Sequence, residues 1–394
     1  MNNYDVIVIG GGLTGSVLSY ELAKNNFKVL LLDKDSFLNN ATTYSYGGIS
    51  YWCGTDKLTN QLCEEAINIY RNLGEELSED IEFRELDLLF TINPSQNINQ
   101  LLLDYQKFYI KPQFLNIDES ISLEPLFNPD VIAGCLRFPQ GHVNPLKMIL
   151  AYQKNFIKLG GKIKKELVIS VETNNHKIKG VKTNNYTYSS EQVIICAGAF
   201  SRQLLVKLGL NLPIYFSHAQ LIKTLPSKIK LRTLVMPCTS KRLDTEKKVT
   251  DKKNLSMWQN PNDELQSDVE EAGAIQFLDG SFCLGQISQI ITNIDTPIDA
   301  KASERRIRKA IAKVLPSLSV LQGTWHTCQV AFSQGMPFQG GKIKQIEGLS
   351  IFSGFTSPFV FVPPLARHFA HYLAKNQDSI GFQVLGNDLP FVIK

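Results

Sequence analysis

A glycine-rich turn near the start of the chain constrains its fold more than any other feature. The stretch IVIGGGLTGS, residues 7–16, joins an apolar run to a segment with helical periodicity. The pattern predicts a buried strand over residues 5–9, a helix over residues 16–25 and a second buried strand over residues 28–33. A strand–helix–strand unit of about 30 residues is the element from which parallel sheets are built. The sequence therefore predicts a parallel sheet at this end of the chain.

Each glycine of the turn has a separate expected role. Gly10 allows the tight turn, Gly12 lets the backbone approach a pyrophosphate, and Gly15 lets the helix pack close to the strand. Free N–H groups at the helix start attract anionic oxygens. Asp33 ends the second strand, where it can accept hydrogen bonds from a ribose diol. The order of these features predicts a dinucleotide site that fits either NAD or FAD.

Composition narrows the class of protein. The chain has 394 residues, which is enough for two domains or for one large domain with an insertion. Hydrophobic residues make up 43% of it and charged residues 20%, as in ordinary globular proteins. The net charge of +4 is too small to indicate a nucleic-acid partner.

The cysteines and the apolar runs bear on the location of the protein. The seven cysteines form no C-x-x-C pair, so we expect free thiols in a reducing compartment and no metal site. No basic stretch precedes the first strand, and no run approaches the roughly 20 apolar residues of a membrane span. We therefore expect a cytoplasmic protein. Nothing indicates membrane association, although it stays open.

Residues 226–272 differ in character from the rest of the chain. They contain a basic run followed by an acidic run, and no aromatic residue interrupts the basic run. We interpret this stretch as a solvated insertion whose charges compensate one another, rather than as a nucleic-acid patch.

Further segments allow a comparison with a known family. They are TTYSYGG at 42–48, GHVNP at 141–145, CAGAF at 196–200 and LDGSFCLG at 278–285. With the glycine turn, they make the chain resemble the D-amino-acid oxidase superfamily of FAD-dependent oxidoreductases, among them glycine oxidase, sarcosine oxidase and D-amino-acid dehydrogenase. The resemblance implies FAD as the cofactor. It also implies an α/β fold (α+β overall), with a Rossmann-like FAD-binding domain and a second, mainly antiparallel-sheet substrate domain.

The resemblance implies domains that are discontinuous in sequence. Residues 1–80, 141–214 and 331–394 would form the FAD-binding domain. Residues 81–140 and 215–330 would form the substrate domain, which includes the charged insertion. The flavin would lie at the interface between them.

The cofactor contacts of the family can be carried over to matching positions. Residues 42–48 would line the flavin, Val168 would bind the adenine through its backbone, and residues 354–359 would face the isoalloxazine. Cys53 and Cys328 lie in no context typical of covalent attachment, so we expect non-covalent FAD. The residues assigned to FAD are Gly10, Gly12, Leu13, Thr14, Gly15, Asp33, Lys34, Thr42, Thr43, Gly47, Gly48, Val168, Cys196, Ala197, Gly198, Gly354, Phe355, Thr356, Ser357 and Phe359.

The chemistry implied by the resemblance is the oxidation of a C–N bond. Family members transfer a hydride from the carbon that bears an amine to the flavin, which requires a neutral amine and a pocket that excludes water. Oxygen or an electron carrier then reoxidises the flavin. The expected partner is therefore a small amine or amino acid.

The substrate pocket departs from the family pattern. Amino-acid oxidases of the family carry an arginine shortly after a tryptophan, and this arginine binds the substrate carboxylate. Trp325 is present, but Gln329 stands at the arginine position and residues 334–337 read QGMP in place of D-G-x-P. Glutamine has no charged guanidinium group that could bind a carboxylate through two parallel hydrogen bonds. Either the substrate lacks a free α-carboxylate, or another residue binds it, or Gln329 is a structural polar residue.

Two other features of the pocket leave alternatives open. Phe359 and Phe361 lie in a turn that is usually glycine-rich in the family. Their side chains contact either the flavin ring or the core under the sheet. His326 is either a general base or a structural histidine. Two functions follow: an FAD-dependent amine or amino-acid oxidoreductase, and a flavin-binding subunit or degenerate family member without catalytic activity.

Overall fold

The computed structural model describes residues 3–35, 40–335 and 337–375, which form two β-sheets and the helices packed on them. The strands are β1 Asn3–Ile9, β2 Val29–Asp33, β3 Gly48–Ile49, β4 Arg84–Ile92, β5 Gln113–Leu115, β6 Gly134–His142, β7 Lys162–Lys165, β8 Val168–Asn174, β9 Lys177–Thr183, β10 Thr187–Ile195, β11 Ile214–Thr224, β12 Leu234–Pro237, β13 Leu265–Gln276, β14 Phe282–Ile291, β15 Gly323–Ser333, β16 Gln339–Lys342 and β17 Leu349–Ser353. The helices are α1 Leu13–Lys24, α2 Lys57–Leu77, α3 Ile98–Tyr105, α4 Ile117–Leu123, α5 Pro145–Lys158, α6 Ser201–Lys207, α7 Lys241–Val249, α8 Leu255–Gln259, α9 Ala300–Val314 and α10 Pro358–Lys375. Within these ranges, no helix has the length and apolar character that crossing a membrane requires.

The first sheet contains the strand–helix–strand unit that the glycine turn predicts. Its strands lie in the order β16–β17–β10–β1–β2–β7, and β9 and β8 extend it from β10. β1 pairs in parallel with β2 and with β10, and β10 pairs in parallel with β17. The prediction of a parallel sheet is thereby confirmed.

The central strands of this sheet are buried on both faces. Val6 and Val8 of β1 pack among α1, α2, α5 and α10 on one face. Ile7 and Ile9 pack against β8, β9 and α6 on the other face. Burial on both faces requires an apolar side chain at every position, which explains why β1 shows no alternation of polar and apolar residues.

The second sheet is built almost entirely from antiparallel pairs. Its strands lie in the order β15–β11–β14–β13–β12–β4–β6–β3, and β5 pairs with β6. Among these described strands, only β12 and β4 pair in parallel. Helix α9 packs against one face through Ile307 and Ile311. The expected fold class, an α/β cofactor-binding part with a second antiparallel sheet, is confirmed.

The two sheets draw their strands from different parts of the chain. The first sheet takes them from residues 3–33, 162–195 and 339–353, whereas the second takes β3 and the strands within residues 84–142 and 214–333. This interleaving has the pattern expected of discontinuous domains, whose boundaries stay a prediction. The end of the predicted first domain, from residue 376 onward, lies outside the described residues.

The interpretation of residues 226–272 as a solvated insertion holds for the exposed lysines of the basic run, but it is wrong for β12. β12 lies inside the second sheet between β4 and β13, and its residues Leu234 and Val235 are buried. It is also wrong for one pair of opposite charges, because Nη1 of Arg242 lies 3.3 Å from Glu246, whose side chain is buried. A charge count alone cannot distinguish such contacts from solvated charges.

The last helix begins at Pro358, earlier than the Pro363–Pro364 pair at which the sequence suggests a start. Pro363 has no N–H group, so the carbonyl four residues earlier, in Phe359, loses its helical donor. The hydroxyl of Tyr70 donates to that carbonyl at 2.7 Å instead. The Tyr70 hydroxyl therefore satisfies one of the two carbonyls that the Pro363–Pro364 pair leaves without a helical donor.

Candidate functional site

A cavity of about 1140 Å³ lies where the carboxyl ends of the parallel strands meet the second sheet. Ile9 and Leu32 line it from the ends of β1 and β2, and Leu221 and Leu234 line it from β11 and β12. Its volume exceeds the about 300–1,000 Å³ of ordinary small-molecule sites, as a dinucleotide site with room for a second ligand would. Among the described residues, no group of three or more His, Cys, Asp or Glu side chains is placed to hold a metal ion.

The glycine turn forms one wall of the cavity, and each glycine is required for a different steric reason. Gly10 has a φ of 106°, and a Cβ atom there would lie 2.5 Å from the carbonyl oxygen of Cys196. A Cβ on Gly15 would overlap the carbonyl oxygen of Gly10, so this glycine lets α1 approach the turn. A Cβ on Gly12 would meet only Oγ1 of Thr42, at 3.4 Å. Gly12 therefore faces the cavity, where a side chain would take the space of a pyrophosphate.

The start of α1 offers hydrogen-bond donors to an anion. Its N-cap residue, Gly12, has no side chain to accept from the first-turn amides. The amide of Leu13 donates to Oγ1 of Thr42 at 3.1 Å, which joins the helix start to the loop after β2. The free amides and the helix dipole together favour a phosphate at this end of the cavity.

Asp33 lies at the cavity wall beside the turn. Its Oδ2 accepts a hydrogen bond from the amide of Gly11, and its Oδ1 accepts one from the amide of Asp35 at 2.9 Å. Burial raises the pKa of Asp33, and the hydrogen bonds from the two amides oppose this shift. The carboxylate is thus held in place by the backbone, at the position predicted to accept from a ribose diol.

Most of the residues assigned to FAD line this one cavity, although they come from distant parts of the chain. Two do not: Gly15 packs α1 against the turn, and the hydroxyl of Thr43 donates to the carbonyl of Asn40 at 3.0 Å. The assigned residues that line the cavity are Gly10, Gly12, Leu13, Thr14, Asp33, Lys34, Thr42, Gly47, Gly48, Val168, Cys196, Ala197, Gly198, Gly354, Phe355, Thr356, Ser357 and Phe359.

β15 carries both candidate catalytic residues, but only one of them lines the cavity. Gln329 lines the cavity, and its Nε2 donates to the carbonyl of Ile294 at 3.4 Å. The ring of His326 stacks on Tyr44, a cavity-lining residue, with 4.5 Å between ring centroids. Burial and the charge of Lys223 lower the pKa of His326. His326 therefore lies behind the cavity wall, and the catalytic roles of both residues stay predictions.

Comparison with known proteins decides which dinucleotide the turn binds. Residues 5–372 match the family described as DAO, FAD dependent oxidoreductase. The chain belongs to this family. FAD is accordingly the cofactor, and its contacts with the glycine turn and Asp33 stay predictions.

Individual relatives in the DAO family match parts of the chain. The 4-methylaminobutanoate oxidase (formaldehyde-forming) of Paenarthrobacter nicotinovorans is 25% identical over 217 residues, which cover 53% of this chain and 26% of that protein. The peroxisomal sarcosine oxidase of Homo sapiens is 26% identical over 214 residues, 54% of each chain. The chain thus spans about half or less of the length of these relatives. In fold, it is similar to glycine oxidase from Geobacillus kaustophilus, with a TM-score of 0.81 at 18% identity and 100% of both chains covered.

The two cysteines considered for covalent attachment both line the cavity of this DAO-family chain. Burial raises the pKa of Cys328 to about 12, which keeps its thiol protonated and unreactive. A hydrogen bond with Cys63 lowers the pKa of Cys53, and Sγ of Cys53 lies 3.8 Å from Oγ of Ser357. Non-covalent attachment of FAD stays a prediction.

For Phe359 and Phe361, the sequence leaves open whether they line the cofactor site or belong to the core. Both side chains are buried in the core that α10 forms with the first sheet. Both also line the cavity. The aromatic residues after the C-terminal turn therefore serve as core and as cavity wall together.

Sequence reasoning missed the part of the cavity that the second sheet forms. Leu88 and Phe90 of β4 pair with Leu234 and Met236 of β12, and all four line the cavity. Residues two apart on a strand share a face, but the runs LLF in β4 and LVM in β12 are apolar throughout and do not mark which face lines a cavity. The polar residues on this side are Tyr46, Gln140, Arg242, Glu271 and Gln286. Apart from Tyr46, which lies in the TTYSYGG segment, no motif marks them, because they meet only through the pairing of distant strands.

Proposed function

We propose that this FAD-dependent oxidoreductase oxidises the C–N bond of a small amine or amino acid. The observation that carries the proposal is the single cavity whose walls are the glycine turn on one side and the apolar faces of β4 and β12 on the other. A dinucleotide and an organic substrate would share this space. Relatives named for methylaminobutanoate and sarcosine support a substrate that contains an amine.

The side chains of the second sheet are suited to prepare an amine for oxidation. FAD, when bound, supplies the acceptor for the hydride. The wall formed by Leu88, Leu234 and Met236 presents no charged group, so it excludes water from the reacting carbon. An apolar environment also lowers the pKa of an amine and favours its neutral form, which is the form that loses a hydride.

Gln329 bears on which amines would be accepted. It stands where amino-acid oxidases of the family carry their carboxylate-binding arginine, and its amide is already engaged with Ile294. A neutral amide binds a carboxylate more weakly than a guanidinium does. We therefore expect amines without an α-carboxylate to be at least as good substrates as α-amino acids.

The proposal is tested by the flavin spectrum of the purified protein. We expect a yellow protein, and we expect acid precipitation to release the flavin into the supernatant because the attachment is non-covalent. Anaerobic mixing with a panel of amines and of D- and L-amino acids should bleach the flavin when the substrate is present. A flavin that no member of a broad panel bleaches would contradict the proposed oxidation and favour a non-catalytic role.

The acceptor and the location also belong to the proposal. Reoxidation of the bleached flavin by air, compared with reoxidation by an added electron carrier, distinguishes an oxidase from a dehydrogenase. All seven cysteines are free, which supports the cytoplasm as the location.

A further inference from the structure

The cavity has a charged end that the oxidation itself does not use. Arg242, Glu271 and Gln286 line it there, and Nε2 of Gln286 donates to Oε2 of Glu271 at 2.9 Å. Behind them, Glu246 lies 3.3 Å from Nη1 of Arg242. The side chains of Glu246 and Glu271 are both buried, so neither carboxylate is well hydrated.

The charges at this end do not balance. Two carboxylates face a single guanidinium, and Arg242 lies closer to Glu246, at 3.3 Å, than to Oε2 of Glu271, at 3.7 Å. Burial alone would lower the pKa of Arg242, but the two carboxylates raise it. Glu271 is thus the carboxyl group that lies farther from the guanidinium, and it is the one that lines the cavity. A buried carboxylate with a distant partner is stabilised by a further cation.

Apolar side chains line the cavity between Gly48, in the predicted flavin loop, and the charged end. A Cβ on Gly48, in that loop, would lie 3.3 Å from Cδ1 of Leu234. Met236, two residues further along β12, packs against Gly273, which is two residues from Glu271 on β13. The cavity therefore runs from the flavin loop along Leu234 and Met236 to the carboxylate of Glu271.

Aromatic rings line the same part of the cavity. Trp52, Phe90, Tyr105 and Phe108 all contribute to its wall, and Tyr105 and Phe108 lie 5.4 Å apart between ring centroids. The ring of Tyr105 also lies 5.7 Å between centroids from the ring of Phe90, which pairs with Met236 of β12. Aromatic faces beside a carboxylate are the surroundings in which proteins bind alkylammonium groups.

A buried hydroxyl also points to a missing ligand. The side-chain oxygen of Tyr46 is buried, lines the cavity, and has no hydrogen-bond partner among the described residues. The Tyr46 side chain packs against the same hydrophobic cluster as Met236, which lies against Gly273, two residues from Glu271. Buried polar groups in proteins normally have a partner, so a polar ligand between Tyr46 and Glu271 would satisfy this hydroxyl.

We propose that Glu271 binds a second, cationic group of the substrate, remote from the carbon that is oxidised. The preferred substrate is then a diamine or another amine with a distal positive charge. This inference rests on the proposed oxidation of an amine and specifies its substrate class. The reacting amine lies in the apolar part of the cavity, and the distal cation lies against Glu271 and the rings of Tyr105 and Phe108.

The charge preference is tested first with ligands that cannot be oxidised. The three ligands are tert-butylammonium, tert-butanol and pivalate. They share a tert-butyl group and carry a positive charge, no charge and a negative charge, respectively. The carbon that bears the polar group has no hydrogen, so none of them can lose a hydride from it. Their binding to the flavin-loaded protein is measured by titration of the flavin absorbance and by calorimetry. We expect tert-butylammonium to bind about tenfold or more tightly than tert-butanol, and pivalate to bind most weakly.

Glu271→Gln keeps the shape of the side chain and its bond to Gln286 but removes the charge. We expect this variant to lose the preference for tert-butylammonium and to keep its affinity for tert-butanol. Glu270→Gln is the matched control, because Glu270 is the adjacent residue of β13 and lies 3.4 Å from Arg306 outside the cavity. It should bind all three ligands as the wild type does. Unchanged flavin content and melting temperature confirm that both variants fold.

The substrate class is tested with three amines that differ only at the far end of the chain. Anaerobic flavin reduction is compared for butylamine, 1,4-diaminobutane and 4-aminobutanoate. We expect half-saturation at about tenfold lower concentration for the diamine than for butylamine, and we expect Glu271→Gln to abolish this difference.

Several outcomes would overturn the inference. A preference for pivalate or 4-aminobutanoate would make Arg242 the anchor for an anionic group instead. Failure of tert-butylammonium to bind, or a cation preference that survives in Glu271→Gln, would contradict the role of Glu271. If no amine bleaches the flavin while tert-butylammonium binds through Glu271, the proposed oxidation fails and the cation site stands. If amines bleach the flavin but show no charge preference, the proposed oxidation stands and the cation site at Glu271 fails.

Discussion

The hydroxyl of Tyr70, on α2, donates a hydrogen bond of 2.7 Å to the carbonyl of Phe359, on α10. This carbonyl is left without its helical donor by Pro363, and both side chains are buried. The bond therefore joins α2 to the first turn of the helix that follows the predicted flavin turn. Phe359 lines the cavity, so a core contact holds one wall of the cofactor site in place.

Replacing Tyr70 with phenylalanine should destabilise the protein and weaken FAD binding. The substitution leaves a buried carbonyl unsatisfied, which costs about 1–3 kcal/mol in the free energy of unfolding. Urea denaturation of the apoprotein measures this loss, and titration with FAD measures the change in affinity. Tyr109→Phe is the control, because it removes the hydroxyl of an exposed tyrosine and should change stability by less than about 0.5 kcal/mol. Equal stability of Tyr70→Phe and the wild type would contradict this account.

Two substitutions in the glycine turn should have different effects, one on folding and the other on FAD binding. A Cβ on Gly15 would overlap the carbonyl of Gly10, so Gly15→Ala should lower the melting temperature of the apoprotein. A Cβ on Gly12 meets only Oγ1 of Thr42, at 3.4 Å, so Gly12→Ala should fold normally. It should bind FAD about tenfold or more weakly, because the methyl group occupies the pyrophosphate position.

Thermal denaturation with and without FAD compares these two variants in one experiment. Wild-type protein should gain melting temperature as FAD is added. Gly12→Ala should start at the wild-type value and gain less. Normal FAD affinity in Gly12→Ala would mean that the phosphates lie elsewhere along the wall.

A substitution at Gln329 tests whether this position has lost the arginine that binds the substrate carboxylate in other family members. Gln329→Arg places a guanidinium at the position where the family carries its arginine, and it should raise turnover of small α-amino acids relative to amines without a carboxylate. Steady-state kinetics with matched amine and amino-acid pairs measures this ratio. Gln329→Met, which has no charged donor, is the control. An unchanged ratio in Gln329→Arg would indicate that the bond to the carbonyl of Ile294 is the role of this residue.

The cofactor half of the site could be predicted from the sequence because its determinants are local. Gly10, Gly12, Gly15 and Asp33 lie within one strand–helix–strand unit, and steric needs of the backbone dictate Gly10 and Gly15. The parallel sheet and its apolar strands follow from the same unit. The later cofactor segments could be assigned through the family resemblance, and most of their residues do line the cavity.

The substrate half could not be predicted, because its residues meet only through long-range strand pairing. Glu271 and Gln286 lie on the antiparallel neighbours β13 and β14, and Arg242 reaches them from α7. In sequence, Arg242 and Glu271 belong to a charged stretch that is typical of a solvated surface. Only the placement of β12 inside the second sheet turns that stretch into a cavity wall.

His142 should make the stability of the protein depend on pH in the weakly acidic range. It is buried at the end of β6, and its Nδ1 accepts a hydrogen bond of 3.4 Å from Nε of Arg84. Burial, with a contribution from the charge of Arg84, lowers its pKa from 6.5 to about 3. Below a pH of about 6.5 the unfolded chain therefore binds a proton at His142 that the folded chain does not.

Stability should accordingly fall as the pH falls from about 6.5 toward 3, with a slope from this residue of up to about 1.4 kcal/mol per pH unit. His142→Gln removes the titrating group, so the free energy of unfolding should depend less on pH between about pH 5 and pH 7. His176→Gln, at an exposed histidine, should keep the wild-type slope. Urea denaturation across this range measures all three proteins. A wild-type slope in His142→Gln would show that His142 is protonated in the folded state, and that Arg84 is not its donor.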